Sequence, residues 1–231
     1  MKKLLVLLVF HVQTALSMDT LPARPPVIEV APSAGHYCER KLLADSPVIN
    51  TLVMHYTATT LQKTLAIFSN DKTPVASHYI IDEDGTIFSN IPEEFAARHA
   101  GRNVGDSYWN GATIVNANSL GIEQVNFGYK VDESQTPGIK VEGDNKEWYP
   151  FEQAQINASI ELSRYLVAKY HIQPENIVGH SDVAPKRKVD PGPLFPWQQL
   201  AEHGVGACQN FETSWDLDCF TKAVKEDNLQ T

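Results

Sequence analysis

The chain has 231 residues, of which 42% are hydrophobic and 20% are charged. This is enough apolar sequence for one domain with a substantial core, and it excludes a chain that is disordered throughout. The formal net charge of -9 argues against partners that carry dense negative charge, such as nucleic acid or anionic lipid surfaces.

The N-terminal residues 1–17, MKKLLVLLVFHVQTALS, have the pattern of a secretory signal peptide. Two lysines precede an apolar run, and a small-x-small site follows it. The run is far shorter than the roughly 20 residues that span a bilayer, so we expect no transmembrane segment. Cleavage would leave 17 basic and 28 acidic residues, a net charge of -11. The sequence therefore predicts a periplasmic or secreted protein.

The three cysteines, Cys38, Cys208 and Cys219, are an odd number for an oxidising compartment. Pairing of Cys208 with Cys219 closes the shortest loop. A bond from Cys38 to the C-terminal tail is the alternative, and both remain open. None of the three has the spacing of a zinc finger.

Residues 18–47 contain five prolines and show no sustained periodicity, which predicts an extended arm that lies on the domain. The folded domain is expected to span residues 48–207. Residues 208–231 are too few for a second domain and form a C-terminal tail.

The first half of the domain begins with VINTLVMHY (48–56), a β-branched and apolar run that predicts a buried strand with His55 near its end. Helical spacing of apolar residues follows at Leu61, Leu65 and Phe68. Two apolar runs then flank Asp84-Gly85, which predicts a hairpin with a tight turn.

The second half contains a strand candidate at 119–126 that carries Glu123, followed by the clearest helix, at 151–170. A short apolar strand at 177–179 leads to His180. Strands and helices alternate without internal repeats. We therefore predict an α/β fold, a single domain with a central mixed β-sheet flanked by helices.

Three side chains match the ligand set of an open zinc site. Hydrolytic zinc is typically held by three protein ligands drawn from His and carboxylate, which leaves one position for water or substrate. His55 and His180 each stand at the end of a predicted strand, and Asp190 lies in a loop stiffened by prolines. Spacing alone fits no short metal motif, and a lone strand-end histidine is commonly structural.

Glu123 and Lys188 could supply the remaining chemistry. Glu123 has the apolar residues Ile122 and Val125 near it in a predicted strand, where a carboxylate is costly to bury unless it is paired or functional, although strand alternation could equally turn it to solvent. Facing a metal, it would be the general base that takes a proton from water. Lys188 could stabilise the oxyanion, or it could be a solvated member of a basic run.

Five ordered blocks of sequence closely resemble the zinc-dependent N-acetylmuramoyl-L-alanine amidases of the amidase-2 type. These blocks are LVMHYTA, SHYIIDEDG, RHAG, SYWNGATIVNANSLGIEQVN and VGHSDVAPKRKVDPGPLFPWQQLA. The resemblance implies a mixed sheet flanked by helices and a Zn²⁺ cofactor. It also implies cleavage of peptidoglycan fragments between N-acetylmuramic acid, or its 1,6-anhydro form, and L-alanine of the stem peptide.

The same resemblance implies a role for each matching residue. The zinc ligands fall on His55, His180 and Asp190, the catalytic glutamate on Glu123 and the transition-state lysine on Lys188. These five positions favour an enzyme over a binding module for muropeptides that does not cut them. A zinc peptidase that cuts within the stem is a second alternative.

Two further residues match segments that line the substrate groove in this family, His99 in RHAG and Trp109 in SYWNG. Contact with sugar or stem peptide is the functional interpretation. The alternatives are a hydrogen-bonded structural histidine and a core aromatic.

We expect the protein to act as a monomer.

Overall fold

The computed structural model describes residues 21–132, 134–209 and 215–216. Twelve short strands occur in this part of the chain: β1 (Ile28–Glu29), β2 (Tyr37–Glu39), β3 (Thr51–Tyr56), β4 (Tyr79–Ile81), β5 (Ile87–Ser89), β6 (Phe95–Ala97), β7 (Ser119–Gln124), β8 (Ile139–Lys140), β9 (Glu147–Trp148), β10 (Ile177–Gly179), β11 (Cys208–Gln209) and β12 (Trp215–Asp216). The α-helices are α1 (Leu61–Phe68), α2 (Gln153–Tyr170), α3 (His180–Val183) and α4 (Trp197–Glu202). Short 3₁₀ turns cover Ala34–His36, Arg40–Leu42, Val115–Ala117 and Pro174–Asn176.

Six of the strands form one sheet in the order β1-β5-β4-β7-β3-β10. The pairs β10–β3, β3–β7, β7–β4 and β5–β1 are parallel, and β4–β5 is antiparallel. The central strand β3 is the apolar run in which the sequence predicts a buried strand, since a parallel sheet covered on both faces favours such runs, and β7 is the strand candidate at 119–126. The mixed sheet with flanking helices is confirmed.

Helix α2 covers one face of this sheet. Its Leu162 and Leu166 are fully buried in a cluster with Leu52 and Met54 of β3. The helix was predicted at 151–170 but begins at Gln153, because Glu152 takes the extended backbone conformation of an N-cap. Its C-terminus matches the prediction and is closed by His171 in the left-handed conformation.

The opposite face of the sheet is shared between apolar packing and polar residues. Phe68 of α1 packs there against Ile80 of β4. Side chains alternate along a strand, so Val53 and His55 point to this face when Leu52 and Met54 point to α2. The functional side chains of β3 and β7 therefore lie opposite the long helix.

The predicted hairpin is present, with β4 and β5 joined around Gly85. The amide of Asp82 donates a hydrogen bond to the carbonyl of Thr86, which closes a three-residue loop. Within this loop the amide of Gly85 donates to the carbonyl of Asp82. Gly85 has a φ of +86°, which favours glycine.

The described part of the N-terminal arm contributes to the fold. Strand β1 pairs with β5, and β2 pairs with β6. Arg40 is buried and donates hydrogen bonds to the backbone carbonyls of Glu93, Asn116, Ala117 and Ser119. The arm is thus anchored at the start of the central strand β7.

Some sequence predictions concern residues outside the described ranges. These include the signal peptide (1–17) and Cys219, and with Cys219 the proposed pairing to Cys208. Cys38, on β2, is half-buried and forms no disulfide within the described part of the chain, and its alternative pairing with the C-terminal tail also concerns residues outside it. No helix within the described ranges is both long and apolar enough to cross a membrane.

Candidate metal centre

The register of the two central strands places His55 beside Glu123. Strands β3 and β7 run parallel, and these two residues are direct partners near the carboxyl ends. By the alternation of side chains along a strand, the side chains of both residues point away from α2. A histidine 68 positions before a carboxylate in the chain thus becomes its neighbour on one face of the sheet.

The next strand along the sheet delivers His180. Gly179 is the partner of Met54, so His180 follows at the level of His55 and begins α3. The loop after α3 returns to this point, where the amide of Ser181 donates to the carbonyl of Asp190 at 2.8 Å. Gly179 permits this return, because a Cβ there would lie 2.6 Å from the ring of Pro191.

Three donor atoms converge as a result. The Nδ1 atoms of His55 and His180 are 2.9 Å apart, and each is 3.0 Å from Oδ2 of Asp190. All three residues are buried. Tetrahedral zinc with bonds of about 2.0–2.1 Å separates its ligand atoms by about 3.3 Å, so a small outward movement would admit the ion. Two imidazoles and one carboxylate are a donor set that fits zinc.

The electrostatics of the cluster favour the protonation states that bind metal. Burial opposes ionisation of Asp190, but its close polar contacts with His180 and His55, at 3.0 Å each, outweigh it and hold the pKa of Asp190 well below its usual range. Burial and the neighbouring His55 lower the pKa of His180 to about 4, although Asp190 opposes this shift. At neutral pH, Asp190 is therefore an anion and His180 is uncharged, as metal ligands must be.

Glu123 lies next to this cluster but belongs to none of its hydrogen bonds. Its Oε2 atom is enclosed and has no hydrogen-bond partner among the described residues. Burial raises its pKa to about 7, and the charges of His55 and Lys188 only partly offset the effects of burial and of Asp190. A carboxyl group with a pKa near neutrality can both accept and return a proton.

All these groups open onto one cavity of about 600 Å³. Lys188 is half-exposed on its rim, close enough to Glu123 to affect the carboxyl pKa. The lining is otherwise rich in cations and also includes Tyr56, whose pKa is raised by burial and by Asp190. In addition to Lys188, the cationic residues that line this cavity are Arg98, Arg102 and Arg187.

The structure places the two predicted groove residues differently. His99 borders the cavity, but its ring is buried behind His55, with Nδ1 3.0 Å from Nε2 of His55 and Nε2 3.0 Å from Oγ of Ser119. Trp109 lines a neighbouring cavity with Trp148 and Trp197, and its indole donates to Asn176 at 3.0 Å. Trp109 is not brought to the metal cluster.

Ser119 was missed by the sequence reasoning. A usable signal was present, because Ser119, Gly121 and Glu123 alternate along β7 and share the face of the sheet that carries His55. Ser119 and Gly121 are small or polar residues on the same face as the candidate base, and this pattern is typical of a strand face that contacts polar side chains.

Comparisons with known proteins identify the family of this chain. A family model described as N-acetylmuramoyl-L-alanine amidase matches residues 45–193. The amidase AmiD of Escherichia coli K12 is 43% identical over 175 residues, which cover 73% of this chain and 58% of AmiD. The AmpD amidase of Enterobacter cloacae, named as acting on the 1,6-anhydro form, is 32% identical over 52% of each chain.

A solved structure extends the comparison to the fold. The complex of E. coli AmiD with anhydro-N-acetylmuramic acid-L-Ala-D-gamma-Glu-L-Lys superposes with a TM-score of 0.60 at 41% identity, covering 72% of this chain and 62% of that one. The present chain thus spans little more than half the length of the curated relatives it matches.

Proposed function

Since the chain belongs to the amidase-2 family of N-acetylmuramoyl-L-alanine amidases, we propose that it hydrolyses the amide bond between N-acetylmuramic acid, or its 1,6-anhydro form, and L-alanine of the stem peptide. The observation that carries this proposal is the buried cluster of His55, His180 and Asp190 beside the unpartnered carboxylate oxygen of Glu123. An enclosed carboxylate oxygen without a partner costs folding free energy, which favours a catalytic role over a binding module.

In this proposal His55, His180 and Asp190 hold a Zn²⁺ ion. When bound, zinc acidifies water and polarises a carbonyl oxygen. Glu123 accepts the proton of the attacking water at its carboxylate and returns it to the leaving amine of L-alanine. Its pKa of about 7 in the metal-free protein would fall beside a cation, which favours the ionised base.

Lys188 serves as the electrostatic partner of the reaction. Lys188 lines the same cavity, and its ammonium group would stabilise negative charge that develops on the carbonyl oxygen. We place the reaction in the periplasm or outside the cell, on the strength of the predicted signal peptide, with muropeptides as the partner.

The proposal is tested with purified, zinc-loaded protein and two substrates, muramoyl tripeptide and its anhydro form. Mass spectrometry of the products separates the alternatives, because the amidase parts sugar from peptide, a stem peptidase cuts within the peptide, and a binding module leaves both substrates intact. Either of the last two results would overturn the proposal.

Two variants test the roles of the residues. Glu123→Ala is expected to retain zinc and lose most turnover, because it removes only the base, whereas His180→Ala is expected to lose both. Glu142→Ala, at an exposed position, is the matched control and should keep zinc and activity. A fully active Glu123→Ala protein would contradict the assignment of the base.

A further inference from the structure

The second ring nitrogen of His55 is engaged by a chain of polar groups that leads away from the cavity. Nε2 of His55 lies 3.0 Å from Nδ1 of His99, and Nε2 of His99 lies 3.0 Å from Oγ of Ser119. The hydroxyl of Ser119 lies 2.7 Å from the carbonyl of Val115, to which it donates. Every group in this chain of contacts is buried.

The positions of the protons follow from the far end of the chain. A carbonyl only accepts, so Ser119 gives its proton to Val115 and its oxygen accepts from Nε2–H of His99. A neutral His99 then has an unprotonated Nδ1, which can accept only from Nε2–H of His55. His55 is left with a lone pair on Nδ1, the atom that faces His180 and Asp190.

We propose that His99 is a positioning residue for the metal centre, which acts with Ser119 to hold His55 in the tautomer that binds zinc through Nδ1. The inference rests on the proposed zinc site. In the opposite tautomer of His55, two unprotonated nitrogens would face each other at 3.0 Å, a buried contact without a hydrogen bond. Partners of this kind fix the orientation of a ligand and raise its basicity.

Gly121 holds the imidazole of His99 in place. A Cβ at this position would lie 2.6 Å from Cγ of His99, so the ring occupies space that only glycine leaves open. The backbone amide of Gly121 is itself held by Nδ1 of His78 at 3.0 Å. The ring of His99 stands edge-on to that of His55, with an interplanar angle of 86°. His99 has little room to tilt, so its nitrogens keep their partners.

The first test measures zinc affinity by competition with a chromophoric chelator. His99→Leu keeps a buried side chain but removes the acceptor, and we expect zinc to bind roughly 10–100-fold more weakly. His99→Asn places an amide oxygen where Nδ1 stood, so its affinity should recover to within about fivefold of the parent protein. Ser119→Ala should fall between the two.

The control is His36→Leu. His36 is also fully buried, and its ring nitrogens contact the backbone carbonyls of Val75 and Asn70, neither of which belongs to the metal cluster or to the chain of contacts from His55 to Val115. This variant should lose stability but keep its zinc affinity. If His99→Leu binds zinc within twofold of the parent protein, or if His99→Asn is as weak as His99→Leu, the inference is wrong.

A second measurement needs no variant and therefore decides the matter even if His99→Leu does not fold. In the zinc-loaded parent protein, ¹⁵N NMR of the imidazoles should show His99 protonated at Nε2 only, with a scalar coupling across the hydrogen bond from Nε2 of His55 to Nδ1 of His99. A proton on Nδ1 of His99 would overturn the inference. Failure of the parent protein to bind zinc would instead sink the proposed metal site.

Discussion

Replacement of Glu123 by glutamine is expected to stabilise the metal-free protein at pH 8 far more than at pH 5. In the folded protein the pKa of Glu123 is about 7, whereas the ordinary value is 4.5. The folded state therefore holds this proton more tightly than the unfolded state does. Its stabilising effect is fully present below pH 4.5 and is lost as the pH rises through 7.

The size of the effect follows from linkage. The difference between the two pKa values corresponds to about 3 kcal/mol of unfolding free energy at pH 8, and to about 1 kcal/mol at pH 5. Glutamine carries no charge, so it escapes this loss, while any fixed cost of its buried amide is the same at both pH values. The advantage of Glu123→Gln over the parent protein should thus grow by about 2 kcal/mol from pH 5 to pH 8.

Urea unfolding of both proteins in excess chelator, followed by tryptophan fluorescence, measures this difference. Other titrating groups cancel in the comparison, and Glu142→Gln, at an exposed position, shows what an ordinary carboxylate contributes. An advantage that is equal at the two pH values would refute the argument that the enclosed carboxylate of Glu123 is less stable when charged. The same variant should be nearly inactive with zinc bound, so stability and turnover would change in opposite directions.

Three further outcomes are expected. Lys188→Ala should lower kcat roughly 100-fold or more with little change in KM, and Lys186→Ala, its exposed neighbour, should change neither; equal effects in the two variants would contradict the role of Lys188. Arg40→Met leaves buried carbonyls without a donor and should cost about 3 kcal/mol or more in urea unfolding, so a neutral result would mean that water replaces the guanidinium. Trp109→Phe loses the indole bond to Asn176 and should lower stability by about 1 kcal/mol with KM unchanged, whereas a large rise in KM would return Trp109 to the substrate site.

The elements of the fold could largely be predicted, because their signals are local. The continuous apolar run that ends near His55 predicts a buried strand, and the helical spacing of apolar residues at 151–170 predicts a helix that packs on the sheet. The strands of the arm gave no such signal, since β1 and β2 have only two and three residues. Their existence depends on partners far along the chain, which a local pattern does not contain.

The candidate site was only partly accessible to sequence reasoning. The residue types of a zinc hydrolase were present, but spacing could not bring His55 and His180 together across 125 positions. The family resemblance predicted that these histidines belong to one site with Glu123. The parallel register of β3 with β7 and β10 gives the physical reason, because it places them at the same level of the sheet. Trp109 lies outside the metal cluster in a neighbouring cavity, and its contact with substrate stays a prediction, because a motif alone does not give the position of a side chain.

The anchoring of Arg40 has a consequence for the order in which the molecule can assemble. Its carbonyl acceptors at Glu93 and Ser119 come 53 and 79 residues later in the chain. Contacts so distant in sequence form late, because the loop between them must first be closed. During synthesis the arm therefore cannot complete these contacts until β7 has been made, so a segment near the start of the described chain reaches its final place only after the centre of the sheet exists.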